Sequence, residues 1–249
     1  IKQGTKFKDI FASDEQCFAI DESEKLWAWG RNNNYQLGNN TTTDSTTPIN
    51  VLTDKTFKAI VCNSLATHAI DSNGNLWGWG DNLGYAVGNG SSYDVTISNP
   101  VQILSGTKFS KIVTNDTANH YLIDEQQNLW GWGNGRSGQF GEGYVKDSVQ
   151  IPTKMLSGKK VKDVSCAFYN TCIIDENDVT WITGDNGDGQ LGNGTTTDSD
   201  YFIQLTSSSY TVTFMNGGTV VKTETVSGGN AATAPSLSKA GYTLSWDKA

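Results

Sequence analysis

Four tandem copies of one tryptophan-bearing unit dominate this sequence, and units of that kind bury their large side chains by stacking on one another. Leu26-Trp27-Ala28-Trp29-Gly30, Leu76-Trp77-Gly78-Trp79-Gly80, Leu129-Trp130-Gly131-Trp132-Gly133 and Thr180-Trp181-Ile182-Thr183-Gly184 recur at spacings of 50, 53 and 51 residues. Six residues before each first Trp stands an Ile-Asp pair: Ile20-Asp21, Ile70-Asp71, Ile123-Asp124 and Ile174-Asp175. Seven residues after each Gly comes an apolar residue and a second Gly, at Leu37-Gly38, Val87-Gly88, Phe140-Gly141 and Leu191-Gly192. An acid then follows at constant offset: Asp44, Asp94, Asp147 and Asp198.

Each unit holds four short strand-like runs separated by turn residues, as in Pro100 to Ile103, Phe109 to Thr114, His120 to Ile123 and Asn128 to Trp132. About 50 residues with four strands make a propeller blade. Strand alternation sends Trp27 and Trp29 to one face and Leu26 and Ala28 to the other, so a bulky face meets a neighbour's smaller one. The fourth unit has Thr183 for the second Trp and Ile182 where the others have Ala or Gly, which reads as volume moved to the opposite face. The expected architecture is all-β, a β-propeller of four four-stranded blade repeats forming part of a larger propeller, with a small C-terminal module.

Asn73-Gly74-Asn75-Leu76-Trp77-Gly78-Trp79-Gly80 and Gly189-Gln190-Leu191-Gly192-Asn193-Gly194 resemble the regulator-of-chromosome-condensation repeat, over residues 1 to about 205. The resemblance implies a propeller, usually of seven blades, and family members that include an exchange factor for a small GTPase and a secreted β-lactamase inhibitor. Only four units are present, and two arrangements follow. Phe202-Ile203-Gln204-Leu205, an additional opening strand, either completes the first unit and seals a four-bladed ring or starts a fifth blade replaced by the C-terminal module, in an open arc with upstream blades missing. The arc, as part of a larger propeller, is favoured, because a blade edge without a neighbour would expose Trp and Leu to water.

The repeat region, 1–205, is followed by a polar joint at 206–209 and a different strand pattern over 210–249. Tyr210 to Phe214 and Thr219 to Val226 alternate around Met215-Asn216-Gly217-Gly218, a hairpin, with a second turn at Ser227-Gly228-Gly229-Asn230. Gly241-Tyr242-Thr243-Leu244-Ser245-Trp246 resembles the signature of the internalin-type B-repeat, a β-grasp-like module of bacterial surface proteins, here incomplete. That resemblance implies an extracellular or cell-wall-attached bacterial protein.

With 18 basic and 26 acidic residues the net charge is −8, which gives no footprint for nucleic acid, and no apolar run is long enough for membrane insertion. Cys17, Cys62, Cys166 and Cys172 lack metal-site spacing and read as small buried hydrophobes or, for the last two, as a hairpin bridge. Gly187-x-Gly189-x-x-Gly192 matches a dinucleotide fingerprint only as a string, since no helix is expected behind it. Asp185-Asn186-Gly187-Asp188-Gly189 has Gly at ligand positions of a calcium loop, and His68 and His120 sit in strand-like text as core or edge residues. No catalytic residues, metal site or cofactor are expected. The variable positions are the turns Asp14-Glu15, Ser64-Leu65, Asp116-Thr117 and Phe168-Tyr169, while loops on the opposite side carry Tyr35, Tyr85, Tyr93 and Tyr144. Loop aromatics on a rigid scaffold are binding anchors, Phe168 and Tyr169 first. The expected function is a non-enzymatic scaffold that recognises a protein or glycan, with a secreted inhibitor or regulatory factor for a partner enzyme or GTPase as the alternative.

Overall fold

The computed structural model describes residues 4–13, 15–116, 118–143, 146–206, 209–216, 218–227 and 232–235. The chain divides into two compact units, Ile1–Leu205 and Thr206–Ala249. The first unit is four sheets of four antiparallel strands, each a meander in chain order. Blade one holds β1 (Phe7–Ser13), β2 (Gln16–Asp21), β3 (Leu26–Gly30) and β4 (Ser45–Val51). Blade two holds β5 (Phe57–Cys62), β6 (Ala66–Asp71), β7 (Leu76–Asp81) and β8 (Thr96–Ile103). Blade three holds β9 (Phe109–Thr114), β10 (Asn119–Asp124), β11 (Leu129–Gly135) and β12 (Lys146–Met155). Blade four holds β13 (Val161–Cys166), β14 (Asn170–Asp175), β15 (Thr180–Gly184) and β16 (Ser199–Gln204).

The blades start one strand later than the sequence units. Pro100 to Ile103 lies in β8 and pairs with β7, so the run expected to open a unit closes the blade before it. Blade one is therefore complete without a borrowed strand, and Phe202-Ile203-Gln204 lies in β16, paired with β15. That run neither seals blade one nor begins a fifth blade. The first strands of successive blades pack on one another, β1 on β5, β5 on β9 and β9 on β13, and form the inner row. Among the described residues no packing of that extent joins β13 to β1.

The Ile-Asp pair has a plain physical role. In every blade the Asp carboxylate caps the turn between the second and third strands, with Oδ1 of Asp71 accepting the Asn73 and Asn75 N–H groups at 2.9 Å. Its other oxygen accepts the indole N–H of the first Trp, at 2.8 Å for Trp27 and Trp181 and 2.9 Å for Trp77 and Trp130. Burial alone would raise the pKa of Asp71 and Asp124, but these donors hold both below the usual carboxylate range. The pair therefore locks turn and strand together, which is why it recurs with the repeat.

The second Trp joins blade to blade. Trp79 Nε1 donates to Gln36 O at 2.7 Å and Trp132 Nε1 to Ala86 O at 3.0 Å, in each case on the preceding blade. The indole lies so close that a Cβ on Gly38 would meet Trp79 Cε2 at 3.0 Å, and Gly88 abuts Trp132 in the same way. Blade four differs from expectation. Thr183 Oγ1 takes over the hydrogen bond, donating to Gly138 O at 2.9 Å, and the Phe202 ring fills the place of the indole against Gly141. The missing volume is restored on the same face from the neighbouring strand, and Ile182 faces the other way, opposite Cys172 and Ile203.

The second unit contains a hairpin, β17 (Ser209–Asn216) and β18 (Thr219–Ser227), as the alternation predicts. The second turn at 228–230 and the Tyr242 and Trp246 signature lie outside the described residues.

Candidate functional site

The meander fixes which loops share an end. First and third strands run in the same direction, so the turns after the first strands and the long segments after the third strands emerge together. Backbone hydrogen bonds tie them: Arg31 N–H to Glu15 O at 2.9 Å, Asp81 N–H to Leu65 O at 2.9 Å and Asp185 N–H to Tyr169 O at 3.0 Å. The tyrosine loops expected on the opposite side therefore lie on the same face as Phe168 and Tyr169.

The long segments are held rigidly. Asn32 donates from Nδ2 to Thr41 O and Thr43 O and accepts from Leu37 N–H, and Asn186 repeats this with Thr195, Thr197 and Leu191. Asp44 and Asp198 each accept the backbone N–H of that Asn at 2.8 Å, the loop-closing role expected of the recurring acids. In blade two Asn82 N–H bonds Val95 O instead, and Asp94 is exposed. The next blade then clamps the segment through the second-Trp contacts, so this face is a fixed surface.

A cavity of about 600 Å³ opens among the ends of the four first strands. Phe11, Cys62, Thr114, Asp116, Cys166 and Phe168 line it, and every blade contributes. Of the residues singled out from sequence, Phe168 lines this cavity and is 55% exposed, with Tyr169 beside it at 49% and 6.2 Å between ring centroids. Tyr93 is 48% exposed and meets the half-buried Tyr85 edge to face at 5.4 Å, while Tyr35 is half-buried. Tyr144 lies outside the described residues. Tyr35 and Tyr85 both have φ of 61°, at positions where blades three and four carry Gly138 and Gly189. Holding tyrosine there costs about 1–2 kcal/mol each. Asp116, from a variable turn, and Cys62 and Cys166, expected as small buried hydrophobes, line it too; a periodic pattern does not show that Ala12, Cys62, Asn115 and Cys166, which occupy one repeat position at spacings of 50, 53 and 51, converge on one wall. Their shared offset just before the variable turn was the available signal.

The remaining sequence candidates have structural roles. All four cysteines are free thiols, and the register sets Cys166 opposite Thr171 and Cys172 opposite Ser165, so the two point to opposite faces. Burial pushes the Cys166 thiol up to about 12 and raises Cys172 as well, which keeps both protonated and poorly nucleophilic. His68 and His120 are fully buried where blades two and three meet, 4.6 Å apart between ring centroids, with His120 stacked on Trp132. Gly189 and Gly192 form turns at φ of 80° and 62° with no helix behind them, and Asp185 Oδ2 is taken by Gln190 Nε2 at 2.7 Å. Among the described residues no group of three or more His, Cys, Asp or Glu converges as a metal site would require.

Residues 23–67 and 127–174 match the Regulator of chromosome condensation (RCC1) repeat. The ultraviolet-B receptor UVR8 of Arabidopsis thaliana is 26% identical over 193 residues, 77% of this chain and 32% of the receptor. Among solved structures, human WBSCR16 superposes with a TM-score of 0.69 at 14% identity, covering 85% of this chain and 56% of that one. Yeast RCC1 (Prp20), solved with Kap60, gives 0.69 at 16% identity, covering 83% and 50%. Prp20p from Saccharomyces cerevisiae gives 0.68 at 17%, covering 83% and 52%. The chain thus shares the RCC1-type propeller fold and spans about a third of the receptor and about half of the solved chains.

Proposed function

We propose that this chain is a non-enzymatic recognition scaffold that binds a protein partner through the face carrying the first-strand turns and third-strand loops. The observation that carries this reading is the pairing of a rigid repeat with an irregular surface. Blade-to-blade contacts fix the backbone, while the turn residues differ in every blade and leave Phe168 and Tyr169 adjacent and half-exposed beside a cavity built by all four blades. Large rings on a rigid frame bury much area at small entropic cost, the usual character of an interface anchor. The yeast relative is described as bound to Kap60 in one structure and by its binding to Gsp1p and histones in another, which supports a protein rather than a glycan. The reading extends to a secreted or wall-attached bacterial protein acting in adhesion, supported by the resemblance of the Gly241 to Trp246 sequence to the internalin-type B-repeat signature.

The test is Phe168→Ala combined with Tyr169→Ala. Partner capture should fall at least ten-fold, since losing an anchor costs about 2 kcal/mol, while the unfolding midpoint stays within error because both rings are exposed. Undiminished capture would remove this face from the binding site.

A further inference from the structure

The exposed connecting segments of the loop face carry an excess of acids. Among the described residues, the segments joining first to second and third to fourth strands hold Glu15, Asp44, Asp94, Asp116, Glu142, Asp185, Asp188 and Asp198, eight acids, against Arg31 and Arg136. Arg31 is already paired with Glu15. At the other end, the turns joining second to third strands and the segments between blades hold six acids, Glu22, Glu24, Asp54, Glu125, Glu176 and Asp178. Five lysines answer them, Lys25, Lys55, Lys108, Lys159 and Lys160. The four turn-capping aspartates, Asp21, Asp71, Asp124 and Asp175, add charge to that other end but are buried, whereas the loop-face segments hold no lysine and present exposed acids on the same end as Phe168, Tyr169 and the cavity.

Two features of that face match a cationic side chain in particular. Phe11, Phe168 and exposed Asp116 all line the cavity, so an ammonium or guanidinium group entering it would find aromatic side chains and an acid on one wall. Asp94 and Asp188, also exposed, extend the negative potential over blades two and four and would steer a positive segment towards the cavity. On this basis, and resting on the protein-binding reading above, we infer that the partner presents a Lys/Arg-rich segment, one cationic side chain of which enters the cavity beside Phe168 and Asp116.

The experiment is fluorescence anisotropy of the full chain with a labelled nonapeptide of alternating Arg and Gly. Wild type is compared with D94N/D116N/D188N, with F168A, and with E22Q/E125Q/E176Q, which removes the same charge from the opposite end. All six acids are exposed, and each variant's unfolding midpoint is recorded to confirm folding. The loop-face triple variant should bind about ten-fold more weakly, a few-fold per exposed charge pair, and the opposite-face variant should match wild type. F168A should weaken binding several-fold even at 0.5 M salt, about the level at which exposed charges are screened. No binding, or equal losses in the two triple variants, overturns the inference, because the latter is what a general polyanion gives. A neutral or acidic partner captured through Phe168 and Tyr169 also overturns it while leaving the binding reading intact. A partner whose capture ignores both rings overturns the reading beneath.

Discussion

Gly88 offers a quantitative test of how the loop face is built. Its φ is 74°, in the left-handed region, and a Cβ placed on it would lie inside the Trp132 indole of the next blade. Gly106 has a comparable φ of 93° but meets nothing within 4 Å. Replacing Gly106 by Ala should therefore cost only the left-handed penalty, about 1–2 kcal/mol. Replacing Gly88 by Ala adds displacement of a fully buried ring, about 1–3 kcal/mol more, for a total of about 2–5 kcal/mol. Seven of the eight tryptophans lie in the blades, so urea unfolding followed by tryptophan fluorescence reports the relevant unit. The Gly88 variant should unfold at clearly lower urea than the Gly106 variant. Equal midpoints would show that the close approach of blade to glycine does not hold the loop segment in place.

Burial pushes His68 down to about 4, and burial, then the neighbouring His68, hold His120 well below its ordinary value. Unfolded histidines titrate near 6.5, so the unfolded chain binds more protons as pH falls from about 6.5 to 4, and stability should drop by on the order of 3 kcal/mol from His68 alone. His68→Gln should flatten that slope in urea titrations between pH 7 and 4.5, and an unchanged slope would contradict the assignment. For Asp175 burial acts to raise the pKa, but the Trp181 indole, two backbone N–H groups and Lys159 hold it at about 2. Its stabilisation should be present above about pH 4 and fade as pH falls towards 2, which Asp175→Asn, measured over that range, should remove. Asp124→Ala leaves Trp130 Nε1 and the Gln126 and Asn128 donors without their acceptor and should cost about 3 kcal/mol, with a shift in tryptophan emission as the check. Thr183→Val, nearly equal in volume, should cost about 1–2 kcal/mol in the same unfolding assay by removing the one hydroxyl donor that Gly138 O and Ser199 O share, and a neutral result would leave blade four held by Phe202 alone.

The blades were legible in sequence because period, Trp alternation and Asp-Trp spacing report contacts made within one unit. Contacts between units were harder to read. The frame slipped by one strand because β8 and its equivalents are separated from the strands they pair with by the long loop, and a repeat has no intrinsic starting point. For the same reason the sequence pattern assigns Phe202 to a new unit, whereas its ring fills the gap left at Thr183. The face shared by the tyrosine loops and the Phe168 turn follows from strand direction, which a periodic pattern does not reveal until the pairing order is known. Exposed Phe168 and Tyr169 were recognisable because two large rings fit badly in a tight turn. The cavity was not, because its wall is assembled from residues about 50 positions apart.

A photo-crosslinking side chain placed at Tyr169, and separately at Glu125 on the opposite end, tests the assignment of the binding face most directly. Irradiation with the partner should yield an adduct from position 169 and none from position 125. An adduct formed at 125 with none at 169 would put the recognition surface at the wrong end of the blades.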